Sequence, residues 1–426
     1  VIVLILPGTA GARGDRRRAV FAAFALTMSL LVPAYGQDVD TLFPDPQGRK
    51  QILRGAIFDG IQHQISILPL PSGGAFSYEY DPQLGTWTRA TPSLGSVFAD
   101  RAETLGSRRF SLAASYGYYS FDKVDGIGLG TGEITTVLQG RGRDPDIGLN
   151  QLRFREDVDA HVVTLGALYG VTSRLDVGVT IPFIRVGLTE RVHRTTRTDC
   201  NEQTGVCQPP ITFNDDNRGV STESTGLGDI VLRGKYRFAD FPDVWSGGLR
   251  VAAILDVRLP TGDDGDRTTF VASKTSLVGG RRDFDQSFFA VGDLPIGTGI
   301  VRVKPQVVAS GLWGDLAPRL AVGFELGTKT GITNDFVYSA GFDYTLLSKL
   351  TLAVDVLGRY AFDEERPRIT RSGVGGTADA STVSLAVGVK VVPVSRLVLF
   401  GAILLPLTDT GLTDNVAPTI GAEWTF

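Results

Sequence analysis

The stretch "LTLAVDVLGRY", residues 350–360, decides the fold. Successive residues of an extended chain point to opposite sides. Leu350, Leu352, Val354, Val356 and Tyr360 therefore share one face, while Thr351, Ala353, Asp355 and Arg359 share the other. The same division runs through "DIVLRGKYRF" (229–238), where Ile230, Leu232, Tyr236 and Phe238 oppose Asp229, Arg233, Lys235 and Arg237. In "VRVKPQVVAS" (301–310), Val301, Val303, Val307 and Ala309 face away from Arg302, Lys304, Gln306 and Ser310. The chain ends in this pattern too: Ile420, Ala422, Trp424 and Phe426 alternate with Thr419, Gly421, Glu423 and Thr425.

Working outward, this period-two pattern predicts strands over 110–121, 160–172, 175–188, 227–239, 248–261, 299–312, 317–327, 335–347, 349–362, 381–392, 396–408 and 416–426. Their connections alternate as well. Tight links fall at Ser173, Ser348 and Ser395, with short ones over 239–247 and 313–318. Long polar stretches lie near 122–159, 189–226, 262–298 and 363–380, with shorter ones at 328–334 and 409–415. A soluble sandwich has no reason to keep its short turns at one end, whereas outer-membrane barrels combine short periplasmic turns with longer external loops. The expected fold is all-β: an antiparallel transmembrane β-barrel of about twelve strands, within a range of about ten to fourteen, with both termini on the periplasmic side.

Face polarity agrees. Charges facing lipid cost ~2–4 kcal/mol apiece for Arg or Lys at the bilayer midplane, so the charged face is the lumen. The expected lumen-lining positions are Arg233, Lys235, Arg250, Asp256, Arg258, Arg302, Lys304, Arg319, Glu325, Asp343, Asp355 and Arg359, joined by Arg237, Lys390, Asp176, Asp229 and Glu423. This set carries a modest excess of base and many cross-strand ion pairs. Aromatics near strand ends, among them Tyr116, Tyr118, Phe183, Tyr236, Phe238, Tyr344, Tyr360, Trp424 and Phe426, suit the interfacial girdles of such a barrel.

Composition excludes other classes. The chain has 426 residues, 52 Gly, one Met, three His and a formal charge of −4. No apolar run beyond the N-terminal region is long enough for a membrane helix, and the charge gives no footing for nucleic acid. Residues 1–36 read as an export signal: Arg16-Arg17-Arg18 is basic, Ala19 to Val32 is apolar, and Ala34 and Gly36 are small residues before Gln37. Cys200 and Cys207, in "CNEQTGVC", fit no common zinc or redox spacing. In an exported chain they read as a local disulfide, with two free thiols as the alternative.

Residues 37–107 precede the barrel, which is assigned 108–426. They hold one plausible hairpin, "FSYEYDPQLGTWTRA", turning at Asp81-Pro82. A hatch folded into the lumen is the functional reading; a periplasmic segment, or an extra strand pair making fourteen strands, are the alternatives.

The exported start, the Gly/Phe/Tyr-rich stretch 71–126 ("PSGGAFSYEYDPQLGTWTRATPSLGSVFADRAETLGSRRFSLAASYGYYSFDKVDG") and the terminal aromatic resemble the outer-membrane channels found with meta-pathway phenol degradation. Those are similar in style to long-chain fatty acid and toluene transporters. The resemblance implies a Gram-negative outer membrane and passive uptake of small hydrophobic or aromatic compounds. Trp424 and Phe426 resemble the C-terminal signature by which barrels are recognised for assembly, which implies the barrel-assembly machinery as a partner beside outer-membrane lipid.

Catalytic chemistry is sparse. His63, His161 and His193 lie far apart, and His161 with a wall serine has no supporting flanking sequence. "GIGLGTG" (126–132) lacks dinucleotide spacing, and "GDDGD" (262–266) lacks the other ligands of a calcium loop. No enzyme activity, cofactor or metal is expected. An anion-leaning diffusion porin and a structural or adhesive barrel are the competing functions.

Overall fold

The computed structural model describes residues 60–426 except positions 66, 72, 82–85, 90, 133, 140–148, 198–212, 245, 266–275, 279–280, 284–292, 329–333, 363–365, 372, 379 and 395. The proposed signal segment, residues 37–59, and both cysteines, Cys200 and Cys207, therefore lie outside the described residues.

Twelve antiparallel strands close into a barrel. They are β1 (Phe110–Val124), β2 (Leu149–Gly170), β3 (Leu175–Arg197), β4 (Ile230–Phe241), β5 (Leu249–Leu259), β6 (Arg302–Gly311), β7 (Leu316–Gly327), β8 (Asn334–Leu347), β9 (Leu350–Phe362), β10 (Thr382–Val394), β11 (Leu397–Pro406) and β12 (Ala417–Thr425). Each pairs with its sequence neighbours, and β1 pairs with both β2 and β12. Closure satisfies the wall's backbone groups internally, as a hydrocarbon solvent demands. The seam ends on the terminal residue, where the Phe426 amide donates to Phe110 O at 2.7 Å and the two rings lie 6.0 Å apart.

Polarity is inverted relative to a soluble protein. Leu112, Val163, Leu165, Leu232, Leu255, Leu320, Val322, Val387 and Leu399 are exposed on the outer face. Tyr116, Phe183, Tyr236, Phe238, Tyr344, Tyr360, Trp424 and Phe426 are exposed near strand ends. Lys235, Asp256, Arg302, Arg319, Glu325, Asp335, Asp343, Asp355, Lys390 and Glu423 are buried inside. In water this arrangement would be untenable; in a bilayer it places every side chain in a fitting environment.

Two strands outrun their predicted limits. β2 begins at Leu149 and β3 ends at Arg197, and the outer strands Ile134–Gln139 and Phe213–Leu227 pair alongside them. This sheet rises past the apolar belt on the loop side. Its outward face carries Arg153, Arg155, Asp157, Asp159, Arg185 and Arg191, all partly or fully exposed. The inward face there is mostly apolar, with Phe154, Val158, Ala160 and Val186 buried, so the period-two contrast is reversed relative to the membrane belt.

The hairpin Tyr78–Asp81/Thr86–Arg89 forms its own two-stranded sheet and adds nothing to the barrel count. A sharp turn then feeds β1. Gly106 has φ +99°, and a side chain at Gly170 would fall on the Gly106 carbonyl, so both positions require the missing Cβ.

Candidate functional site

The site is the lumen itself, and it is built from wall charges meeting the segment before β1. From β7, β8 and β9, Arg319 bridges Asp343 at 2.7 Å and Asp355 at 2.6 Å. Ser93 Oγ donates to Asp343 at 2.9 Å, and Ser96 Oγ donates to Asp355. Each serine also accepts a nearby backbone amide, Gly95 N for Ser93 and Phe98 N for Ser96, so the "SLGS" turn is fixed against the wall.

The next residues continue around the ring. Asp100 takes two bonds from Arg233, the shorter at 2.5 Å, and one from Gln306 at 2.9 Å. Arg233 also grips Asp256 at 2.7 Å, which Lys304 approaches at 3.2 Å. Glu103 accepts from Ser310 at 2.7 Å and faces Arg250 at 3.5 Å. The Ala102 amide donates to Ser310, and Lys235 Nζ donates to the Glu103 carbonyl at 2.6 Å while sitting 3.7 Å from Asp176. On β12, Glu423 accepts the Gly74 and Ala75 amides and the Ser111 hydroxyl. Arg101 binds the Gly74, Ala75 and Ser93 carbonyls, tying the segment to itself. These are buried charge-assisted bonds, the strongest kind available to side chains.

Nearer the loops a second cluster forms. Arg302 meets Glu325 at 3.1 Å and Asp335 at 2.9 Å, and Arg359 meets Glu325 at 2.6 Å and also Asp335. Arg258 faces the same space. The sequence-predicted lumen residues are thus brought together, Arg237 near Ser173 O and Asp240, and Lys390 over the Phe400 ring at 5.7 Å. Three acids were not on that list: Asp335 on β8, and Asp100 and Glu103 before β1. Asp335 shares the parity of Asp343, a signal available in the sequence; the other two depend on how the preceding segment enters the barrel. With them, acids and bases in this set are equal in number and the excess of base disappears.

One cavity of about 290 Å³ runs through this interior and touches all twelve strands. Along β1 it follows Ser111, Ala113, Ser115, Tyr119 and Phe121, most of the height of the wall. Opposite the arginines it is lined by Leu68, Leu70, Phe98, Tyr119, Phe121, Phe400 and Leu404. Residues 60–65 form a helical turn whose Ile61 and Ile65 join the core cluster with Phe121, Leu129, Phe154, Ile184 and Ile369.

Between Phe213–Leu227 and β4 the chain breaks at Gly228 and Asp229, where Gly228 N donates to Pro182 O. Asp229 turns inward to accept Gly262 N and both donors of Thr298. His161 lies on the outer wall, bonded to the Tyr116 hydroxyl at 2.7 Å and 3.3 Å from Asp159. Among the described residues no cluster of His, Cys, Asp and Glu could hold a metal ion.

Closed pairing, inverted faces and a charged lumen define a twelve-stranded transmembrane β-barrel of the outer-membrane type, with a chain segment folded into its interior. No protein-family model and no curated protein matches the chain. Among solved structures, it is similar to an outer-membrane channel from Pseudomonas putida F1, at 12% identity and TM-score 0.44 over 78% of this chain and 100% of that one. It is also similar to the Ralstonia pickettii toluene transporter TbuX, at 14% identity and TM-score 0.32 over 75% and 90%. A third is the Pseudomonas putida toluene transporter TodX, at 10% identity and TM-score 0.32 over 75% and 89%.

Proposed function

We propose that the protein is an outer-membrane channel for passive uptake of small hydrophobic or aromatic compounds, with residues 37–107 acting as a hatch. The observation that carries this is the cavity. It touches every strand, runs alongside the described part of the hatch, and offers Tyr119, Phe121, Phe400 and Leu404 to a passing apolar solute. A volume near the lower end of small-ligand sites, ~300–1,000 Å³, suits solutes of one ring or a short chain.

An anion-leaning porin has less support. Rings of free Arg and Lys favour anions, but here Arg233, Lys304, Arg302, Arg319 and Arg359 each hold a carboxylate. A barrel of purely structural role would have no use for a continuous interior space.

The test is uptake by a Gram-negative host expressing the protein in its outer membrane, with its general porins deleted. A labelled alkylphenol is compared with a small sugar phosphate, in the native protein and in Gly166→Trp. Gly166 lines the cavity, and a Cβ there meets only Ala113 at 3.7 Å, an ordinary contact, so the wall accepts a side chain whose indole then extends into the passage. Alkylphenol uptake that falls to the background of the empty host in Gly166→Trp, with sugar phosphate excluded throughout, is expected. Entry of both solutes would make the protein a porin; entry of neither would make it structural.

A further inference from the structure

Arg258 differs from every other cation around the loop-side half of the cavity. Its electrostatic neighbours are Glu325, Asp229, Arg302 and Arg359. Glu325 is already engaged by Arg302 and Arg359. Asp229 already accepts Gly262 N at 3.1 Å, Thr298 N at 2.9 Å and Thr298 Oγ1 at 2.6 Å. Among the described residues, Arg258 has neither a carboxylate at ion-pair distance nor a hydrogen-bond acceptor. A guanidinium carries five donors in a planar fork that matches a carboxylate's two oxygens. The side chain is half-buried and lines the cavity, so the fork is open to an acceptor carried in by a solute.

Its surroundings say what kind. Arg258 is one of three residues, with Leu68 and Leu70, that line both the main cavity and a small recess beside it. Beside these three, that recess is formed by Ile65, Val162, Pro182, Ile184 and Ile296 together with Asp229 and Thr298, which are bonded to each other. Across the main cavity stand Tyr119, Phe121 and Phe400. Among the described residues Arg258 is therefore the one cation lining this cavity without a carboxylate at ion-pair distance, in a space it shares with apolar and aromatic side chains, with wall hydroxyls such as Ser115 and Thr164, and with Asp414 at the loop rim.

Resting on the channel reading above, we propose that Arg258 is a specificity-determining residue and that the preferred solutes are small carboxylates with an apolar body, the head group held in the Arg258 fork and the body against Leu68, Leu70 and the aromatic wall. A neutral hydrocarbon makes only the second set of contacts. A compact hydrophilic anion makes only the first. The proposal separates this protein from a channel that takes neutral aromatics without preference.

The probes are phenylacetate and phenylacetamide, which match in size and differ in charge. Binding of each to the purified full barrel in detergent is measured by titration calorimetry at neutral pH, for the native protein, Arg258→Met and Arg258→Lys. Heat-modifiable gel migration checks that each variant is folded. The native barrel is expected to bind phenylacetate about tenfold or more tightly than phenylacetamide, the scale of one charge-assisted bond pair. Arg258→Met should lose that preference while leaving phenylacetamide within about twofold, and Arg258→Lys should retain part of it.

Equal binding of the two probes by the native barrel would overturn the proposal, as would an Arg258→Met variant that keeps the preference. Weakening of both probes together in a folded Arg258→Met would make the residue structural and overturn it too. If alkylphenol uptake still depends on an open lumen in the Gly166→Trp comparison, the channel reading stands after any of these failures.

Discussion

On β4 to β9 the inward positions carry Arg233, Lys235, Asp256, Arg302, Arg319, Glu325, Asp343, Asp355 and Arg359, whereas β1 to β3, β10 and β11 present chiefly Tyr119, Phe121, Val162, Ile184, Ala386, Phe400 and Leu404. The same barrel thus has a charged half and an apolar half facing one another across the lumen. Both halves obey one outer rule, because lipid is the same solvent all round. Inside, the rule is set by what each half must hold. The charged half receives Ser93, Ser96, Asp100 and Glu103 and fixes them through directional bonds. The apolar half meets Ile61, Ile65 and Leu68 and holds them by contact alone. The first gives position, the second gives a surface along which a solute can slide.

The largest expected effect comes from breaking the charged half. Arg319→Met would leave Asp343 and Asp355 buried with serine hydroxyls but no cation. Removing one partner of such a network costs about 3–5 kcal/mol, because the remaining charges are stranded. Urea unfolding in lipid vesicles measures it, and a loss below about 1 kcal/mol would mean that the hatch and wall are not held by these pairs.

Next in size is a pair of changes that tests whether the asymmetry is confined to the lumen. Val322→Arg lies on the outer face of the charged half, and Val163→Arg on the outer face of the apolar half. Each is expected to cost ~2–4 kcal/mol if placed near mid-bilayer, and the two costs should agree within about 1 kcal/mol. A much smaller penalty at one of them, read from the same unfolding assay, would show that this stretch of wall does not face lipid.

How much of this was legible follows from what a local pattern can carry. All twelve wall strands and the faces of Arg233, Arg319 and Asp355 were readable, because a bilayer outside and a polar lumen inside impose a contrast at every second residue. The upper reaches of β2 and β3 were not, since Arg153, Arg155, Asp157 and Arg191 face water there while Phe154 and Val158 turn inward, which reverses the contrast that marks the membrane-spanning part. Asp100 and Glu103 could not be placed, because their partners Arg233 and Ser310 lie more than a hundred residues on. The isolation of Arg258 is less accessible still. It depends on Glu325 and Asp229 being engaged elsewhere, which only the assembled ring decides.

The smallest expected effect concerns a half-buried carboxylate on the loop rim of the apolar half, Asp414. Asp414 follows β11, in the loop that returns to β12, and pairs with Phe121 in the outermost part of the sheet. Among the described residues it has no cation at ion-pair distance, and burial, with a further push from the Asp122 charge, raises its carboxyl to about 6, against a smaller lowering by its own backbone. On the charged half, by contrast, each carboxylate is answered by an arginine or lysine. The folded protein therefore holds a proton on Asp414 more tightly than the unfolded chain does. Stability from this group is fully present below about pH 4, declines as pH rises through about 6, and stays reduced above that. Asp414→Asn removes the dependence. It should match the native protein near pH 4 and exceed it by on the order of 1–2 kcal/mol near pH 8, after allowance for partial exposure of the side chain. Unfolding in vesicles at the two pH values checks the sign. A variant less stable than native at the higher pH would mean that Asp414 is charged and held by a partner there, as the carboxylates of the charged half are.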